Sequence, residues 1–492
     1  MSLPSTAMLV VILVTLPLAA ATLLFASGRQ PRTLTLAAAL LLTFAALALG
    51  FNVHLEGVSV HRIGGWAAPL GIHWQVTPSG TVMLLVTALV GLAGAVYGAG
   101  YFLHRPGPEG RMARVFMPLW LFAWGGLNAL FVAADLFNLY VALEVMTLAS
   151  VALVALSARR MALQAAMRYL LAGLFGSMIY LLGVALLYGQ YGVLDFDALA
   201  AMLDVEDAGS RAGAVALTVG LLAKAAIFPL HFWLPGAHGR AEPPVSALLS
   251  GLVVAAAFYL LLRLWFGPLA GMLTFGAGTL LGVLGAGALL WGGVLALLQR
   301  RLKMLVAYST VSQFGFAMLV FPLAISGNRE PVLAGGTLLL ANHALAKAAL
   351  FLAAGTLVRA SGSERIGQLV GFSGRARWAW LAVILASAAL IGLPPTLGFS
   401  AKWLLLQTAV SQGAWWWLGI MLAGTLLTFA YLGRLLELAL LDPAPGPSPP
   451  PVLTPALLVP ALLLALLACA SGVWAFDFEL DGETFVRLEP GS

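Results

Sequence analysis

Charge is what this chain of 492 residues lacks most: Asp, Glu, Lys and Arg together make up 9% of it. A soluble globular protein carries roughly a quarter charged residues, so a water-soluble fold is excluded. Cysteine is reduced to Cys469, which rules out an internal disulfide and any cysteine-held metal cluster. That residue sits in the apolar run ALLLALLACASGV and reads as a small packed side chain. Lys/Arg runs never exceed two residues, so the net charge of +6 is not the footprint of a nucleic-acid binder. Low-complexity sequence is confined to DPAPGPSPPP at 442–451, too rich in proline for helix. Fe–S, haem and nucleotide motifs are missing, and the His residues are too scattered for metal-ligand spacing. The expectation is therefore no cofactor and no metal. Lysine is the rarest charge: of 25 basic residues only Lys224, Lys303, Lys347 and Lys402 are lysines.

What is present is hydrophobic sequence, 61% of residues, with a mean hydropathy of +0.99. Apolar runs long enough to cross a bilayer, about 17–25 residues, predict about fourteen transmembrane helices. They fall near 7–27, 33–51, 79–101, 113–134, 136–157, 164–188, 211–232, 243–266, 271–297, 302–324, 334–357, 377–408, 414–436 and 452–474. Strands are not expected, because the runs lack a period of two. The first run has no Lys or Arg before it, so it reads as a retained span rather than a signal peptide.

The basic residues alternate by loop. Seventeen fall in the odd connections, among them Arg105, Arg159, Arg160, Arg300, Arg301, Lys303, Arg365 and Arg434. Five fall in the even connections and the tail: Arg62, Arg211, Arg263, Arg329 and Arg487. Acidic residues crowd the even side, at Asp195, Asp197, Asp204, Glu206 and Asp207, and the C-terminal tail. The positive-inside rule then places both termini away from the cytoplasm, in a multi-pass protein of the cell (inner) membrane.

Four ionisable residues other than His lie deep within predicted spans: Glu144, Lys224, Lys347 and Lys402. A charge near a helix centre costs about 3 kcal/mol on insertion scales, and such groups are functional candidates by default. Three lysines cannot all be static partners of one carboxylate. Arg holds its proton essentially always, whereas a buried Lys can release it. The loops use Arg almost throughout and the spans use Lys, a partition that suits proton handling. His343 and Lys347 are four residues apart on one helix face, where ring and amine can pass a proton through water. His231 and His238, at the expected cytoplasmic end of the seventh span, are candidates for a proton inlet.

Prolines interrupt two of the lysine-bearing spans. Pro229 and Pro235 follow Lys224, and Pro394 and Pro395 precede Lys402. Proline frees backbone carbonyls, and unwound backbone at membrane depth occurs only beside a cavity or within protein. Two broken helices, each with a Lys, in matching halves point to an internally repeated transporter. The expected organisation is 1–112, helices 1–3; 113–266, a first repeat of helices 4–8; 271–440, a second of helices 9–13; and 452–492, helix 14 with an acidic tail. Helices 7 and 12 are then the fourth of each unit and start on opposite sides, which makes the repeat inverted.

The segments LFNLYVALEVMTLAS, LLAKAAIFPLHFWLPGAH, PPVSALLSG, LKMLVAYSTVSQFGF, NHALAKAALFLAAGTL and IGLPPTLGFSAKWLL resemble the proton-conducting antiporter-like subunits. That family is shared by respiratory complex I, membrane-bound hydrogenases and the multisubunit Mrp cation/proton antiporters. The match runs from about residue 80 to 435. Length, GGWAAPLGI at 64–72 and LFNLYVALEV are most similar to the D-type subunits of its Mrp branch. The resemblance implies fourteen helices, two inverted five-helix repeats and a polar axis along the middle of the membrane. It makes Glu144 and Lys224 an electrostatic pair, His343 and Lys347 the central relay, and Lys402 the terminal lysine. Three departures stand out. Ala255 replaces the usual helix 8 lysine, Arg301 replaces the Asp of a DLKRLLAYS pattern, and TPSG at 77–80 lacks the usual acidic element.

The expected function is proton translocation within a multisubunit monovalent cation/proton antiporter, with other membrane subunits as partners, protons and Na⁺ or K⁺ as cargo, and the lipid bilayer as surroundings. The alternatives are a pumping module of a redox complex and, given Ala255, a transport-impaired scaffold. The chain itself is not expected to be an enzyme.

Overall fold

The computed structural model describes residues 4–27, 32–66, 71–102, 108–325, 327, 329–369, 376–440 and 453–478. Residues 67–70 of the GGWAAPLGI motif, the loop 442–451, the tail beyond 478 and Arg29, Arg105, Arg375 and Arg487 lie outside these. The first elements are α1 (Thr6–Ser27), α2 (Arg32–Glu56), a hairpin of β1 (Ser59–Arg62) and β2 (His73–Val76), and α3 (Pro78–Phe102). Then come α4 (Pro108–Val132), α5 (Leu136–Val154), α6 (Arg160–Tyr191), α7 (Phe196–Met202), α8 (Ala208–Lys224), α9 (Leu234–Arg240), α10 (Pro243–Leu248) and α11 (Val254–Phe266). The rest are α12 (Phe275–Leu298), α13 (Leu302–Ala317), α14 (Val320–Leu323), α15 (Glu330–Ser361), α16 (Ala376–Ile391), α17 (Leu397–Ser411), α18 (Trp415–Leu440) and α19 (Pro455–Phe478).

The protein is mostly helical, and twelve helical stretches among the described residues are long and apolar enough to cross a membrane. The segments expected as the seventh and twelfth spans are not among them. In the first, α8 stops at Lys224 and helical turns resume at Leu230. In the second, α16 stops at Ile391 and α17 starts at Leu397. Neither half alone reaches spanning length, so a run of apolar residues overstates the continuous helix wherever proline interrupts it. The hairpin and α7 have no counterpart among the expected elements; both lie in loops, where a search for long apolar runs does not look. β1 and β2 pair antiparallel from Ser59↔Val76 to Arg62↔His73.

Small residues set the closest helix contacts. On α6, Gly176 and Gly183 are seven residues apart and face Gly220 and Gly213 of α8, seven apart in turn. A Cβ on Gly220 would come within 2.6 Å of the Gly176 carbonyl, so only glycine permits this approach. Lys224 follows Gly220 by one turn, and its stem passes over Gly176 of α6. Gly285 and Gly315 bring α12 and α13 together in the same way. The windows of Pro243–Phe266 and Glu330–Ser361 are wholly buried, which makes α10–α11 and α15 the centre of the bundle. There α15 packs on α3, α13, α16, α17 and α19.

At the second break, a Cβ on Gly472 of α19 would lie 2.0 Å from the Pro395 carbonyl oxygen. Backbone cannot yield cheaply, so Gly472→Ala is expected to destabilise the protein by about 1–3 kcal/mol. A thermal unfolding midpoint unchanged from wild type would show that α19 does not hold this break in place.

Candidate functional site

The interior cations are held by three different kinds of partner. Lys224, 6% exposed, donates to Glu144 Oε1 at 3.0 Å and to Thr147 Oγ1 at 2.9 Å, both on α5. Ser177 of α6 donates to the same carboxylate oxygen. Because Lys224 is the last residue of α8, its side chain leaves the helix where the backbone turns away. Trp233 braces that turn: its Nε1 donates to the Ala223 carbonyl at 3.0 Å, and its ring stacks on Tyr169 of α6 at 4.3 Å. Ala226 takes a φ of 52°, a left-handed conformation that costs a non-glycine residue energy and tends to mark functional backbone.

Lys347, fully buried, has no carboxylate within ion-pair distance among the described residues. It donates to the Val306 carbonyl at 3.2 Å and to Ser309 Oγ, both on α13. One turn away on α15, His343 Nε2 lies 3.1 Å from the Ser250 carbonyl, with its ring 4.5 Å from that of Phe314. Ser250 and Thr310 share a hydroxyl hydrogen bond of 2.7 Å. Ser250 belongs to a π-helical turn, Leu249–Val253, between α10 and α11. Such turns recur at functional sites.

Lys402 is the third case. It donates to the carbonyls of Leu390 and Ile391, at 3.0 and 2.9 Å, the last residues of α16 before the break. Its ammonium also sits over the Phe316 ring at 5.0 Å, a cation–π contact. A helix C-terminus bears negative partial charge, so the interruption itself is the counter-charge for this lysine. Between Lys347 and Lys402, α13 places Gln313, whose Nε2 is 3.2 Å from Thr428 Oγ1 and 3.3 Å from the Tyr431 hydroxyl.

A single helix therefore serves the second half of the site. Ser309, Gln313 and Phe316 of α13 recur at i, i+4 and i+7, one face, and meet Lys347, the Thr428–Tyr431 pair and Lys402. Sequence reasoning singles out none of them, nor Ser177, Thr147 or Ser250. Hydroxyls are common in membrane helices because they bond their own backbone, so their type carries little signal.

The two inlet candidates occupy different places. His238 is fully buried and stacks on Phe351 at 4.8 Å, one turn past Lys347 on the α15 face that also carries His343. His231 is half-buried and stacks on Phe228 at 5.7 Å, on the side of Trp291 of α12. Pro229 and Pro235 flank the 3₁₀ turn Leu230–Trp233 after Lys224, while Pro394 and Pro395 fill the gap between α16 and α17. Ala255 is fully buried in α11, and its methyl group can carry no proton.

Three readings of charge need correcting. Loop position groups Lys303 with the cytoplasmic arginines, yet it is 7% exposed, donates to the Ala241 carbonyl at 3.2 Å and lies 3.7 Å from Glu364 Oε1. The same count makes Arg263 a loop residue, yet it is buried on α11. It donates to the Ala133 carbonyl and to Gln75 Oε1 at 3.2 Å, over the Phe196 ring. Arg434 is likewise inside a helix, α18. The scatter of His along the chain also misleads: folding brings the side-chain ligand atoms of His73, Asp195 and Asp197 within 4.8 Å of one another. Asp195 Oδ1 already caps α7 through the Asp197 and Ala198 amides, and Oδ2 faces His73 Nε2 at 2.9 Å. This group ties the hairpin to the loop before α8.

Known proteins share both sequence and fold. The family model described as NADH:quinone oxidoreductase/Mrp antiporter, transmembrane, matches residues 133–428. The N subunit of an NADH-quinone oxidoreductase, from Desulforudis audaxviator (strain MP104C), is 35% identical over 456 residues, 90% of this chain and 88% of its own length. The D-type subunit of a Na(+)/H(+) antiporter from Alkalihalophilus pseudofirmus is 31% identical over 368 residues, 73% of this chain and 72% of its own. A chain in the structure of the Mrp complex from Dietzia sp. DQ12-45-1b superimposes with a TM-score of 0.87 at 27% identity, over 98% of this chain and 97% of that one. With its central helices matched by the family model and the interior Glu144–Lys224 pair among them, this multi-pass membrane protein belongs to the NADH:quinone oxidoreductase/Mrp antiporter family.

Proposed function

We propose that this chain is the proton-translocating, D-type member of a multisubunit monovalent cation/proton antiporter, and that protons move along Glu144, Lys224, His343, Lys347 and Lys402. The carrying observation is the contrast among its lysines: Lys224 rests on a carboxylate, Lys347 and Lys402 on neutral oxygens. Drawing Lys224 away from Glu144 removes the charge that holds its proton and favours transfer to the next site. Moving one charge through the full potential involves about 2.3 kcal/mol per 100 mV, a scale a partly desolvated ion pair can match. His231 and His238 are assigned to the inlet side.

In this reading α8–α9 and α16–α17 each form one broken span, which with the twelve continuous stretches makes fourteen, and both termini face away from the cytoplasm. Residues 113–266 and 271–440 are inverted repeats, flanked by 1–112 and 452–492. Supporting this, α6 and α15, each third in its unit, are both 32 residues long and both end at a left-handed glycine, Gly192 and Gly362. Partner subunits of the complex supply whatever redox or cation-selective chemistry is needed.

The test is ΔpH in inverted vesicles carrying the whole gene cluster, with Na⁺, K⁺ or neither added. Cation-dependent collapse of the gradient is expected. A gradient that forms only on addition of a respiratory reductant would instead identify a redox-driven pump. Ala255→Lys probes the missing helix 8 lysine: a rise in exchange rate is expected if Ala255 limits the relay, and an unchanged rate means that water already bridges that step.

A further inference from the structure

The arginine that departs from the family pattern, Arg301, opens onto a cavity that the transport reading does not use. The cavity, about 670 Å³, is lined by Arg300, Arg301, Arg365 and Arg434, with Gln368 and Glu437. Four arginines and one glutamate thus line a single cavity. Among the described residues, none of the four is within ion-pair distance of an acid.

The backbone forces two of these charges together. Arg301 and Arg365 are directly opposite in an antiparallel bridge. Leu302 N donates to the Glu364 carbonyl at 2.9 Å and Ile366 N to the Arg300 carbonyl at 3.0 Å. Those two bonds flank the pair, which makes it the non-hydrogen-bonded kind, with Cα atoms about 4.5 Å apart and side chains on one face. Like charges in that position repel and destabilise the pairing. Arg301 is also the residue immediately before α13, and its side chain caps no amide. Where the family pattern puts an acid against the helix N-terminus, this chain leaves that positive end unanswered. Arg434 is fixed at the rim by the Leu297 carbonyl and by that of Gln299, at 3.2 Å.

We propose that this cavity binds a phosphate-class oxyanion, the headgroup of an anionic phospholipid. Planar guanidinium groups match phosphate oxygens two at a time. The lipid source follows from position. Arg300, Arg301 and Arg365 belong to odd connections and Arg434 reaches the same end from α18, the side where anionic headgroups face basic pockets between helices. Below them α12 exposes Trp291, Val294 and Leu298, at i, i+3 and i+7, an apolar strip for an acyl chain. The site rests on this charge arrangement and not on the transport reading, so either stands without the other.

The test is native mass spectrometry of the purified, delipidated full-length chain with dioleoylphosphatidylglycerol, dioleoylphosphatidylcholine or sodium phosphate. Saturable retention of the glycerol lipid over the choline lipid is expected, weakened about 30-fold in Arg301→Ala/Arg365→Ala. Arg301→Asp restores the residue of the family pattern, and so reports on the site with the helix start intact; it is expected to weaken the same lipid. Sodium phosphate binding that the substitutions abolish, without lipid binding, keeps the oxyanion site and makes its source soluble. Equal retention of both lipids, undiminished binding in both variants, or no binding of any probe overturns the proposal. The last result would leave a carboxylate of a neighbouring subunit as the counter-charge.

Discussion

Lys224→Ala is expected to abolish proton-coupled cation exchange in inverted vesicles while the complex still assembles. A positioned proton-transfer group contributes about 10²–10⁴-fold, so the expected loss is about 100-fold or more. The variant leaves Glu144 half-buried, and Ser177 still donates to it, so the structural cost is small. Glu144→Ala is expected to abolish exchange as well. There the burden falls on Lys224, and an uncompensated buried charge costs about 3–5 kcal/mol unless it sheds its proton.

The double variant Glu144→Ala/Lys224→Ala separates a transport station from a static strut. With neither charge present, thermal stability is expected to return toward wild type, because no unpaired ion is left in the bundle. Exchange is expected to stay lost. A double variant that regains exchange together with stability would reduce the pair to a strut and remove it from the path.

Lys347→Met carries the second large effect, with stability and activity moving apart. The ammonium is fully buried and held by the Val306 carbonyl and Ser309 Oγ, with no carboxylate beside it among the described residues. Methionine has similar length and no desolvation cost, and replacing buried ions by apolar groups of like volume is often neutral or stabilising by about 1–4 kcal/mol. Exchange is expected to fall as far as in Lys224→Ala, while the thermal midpoint holds or rises. A lysine kept for architecture would behave the other way, with transport preserved and the midpoint lowered.

How far the residues alone reach differs between the two lysine environments. Glu144 and the three interior lysines are ionisable groups within apolar runs, so their placement inside the bundle is legible without coordinates, whereas the choice of Lys224 as the partner of Glu144 comes from the family resemblance. His343 and Lys347 share a face by helical spacing. The oxygens that receive Lys347 and Lys402 are not legible in this way. They are main-chain carbonyls and a hydroxyl of α13 and α16, and every apolar helix carries such groups. Lys303 and Arg263 mislead for a related reason: residues near span ends look like loop residues until the packing of other segments buries them.

Hydropathy and charge alone determined that this is a multi-pass membrane protein, where its apolar runs lie and which ionisable groups remain inside. Those follow from one-dimensional quantities, the length of an apolar run and the cost of charge in lipid. Only the tertiary structure decided that α8 ends at Lys224, that the α16 terminus solvates Lys402, that α13 joins the lysines of the second half, and that Arg301 meets Arg365. The last two depend on contacts between residues far apart in the chain, and the first two on backbone that turns away near prolines, where the length of an apolar run says nothing of where the helix stops.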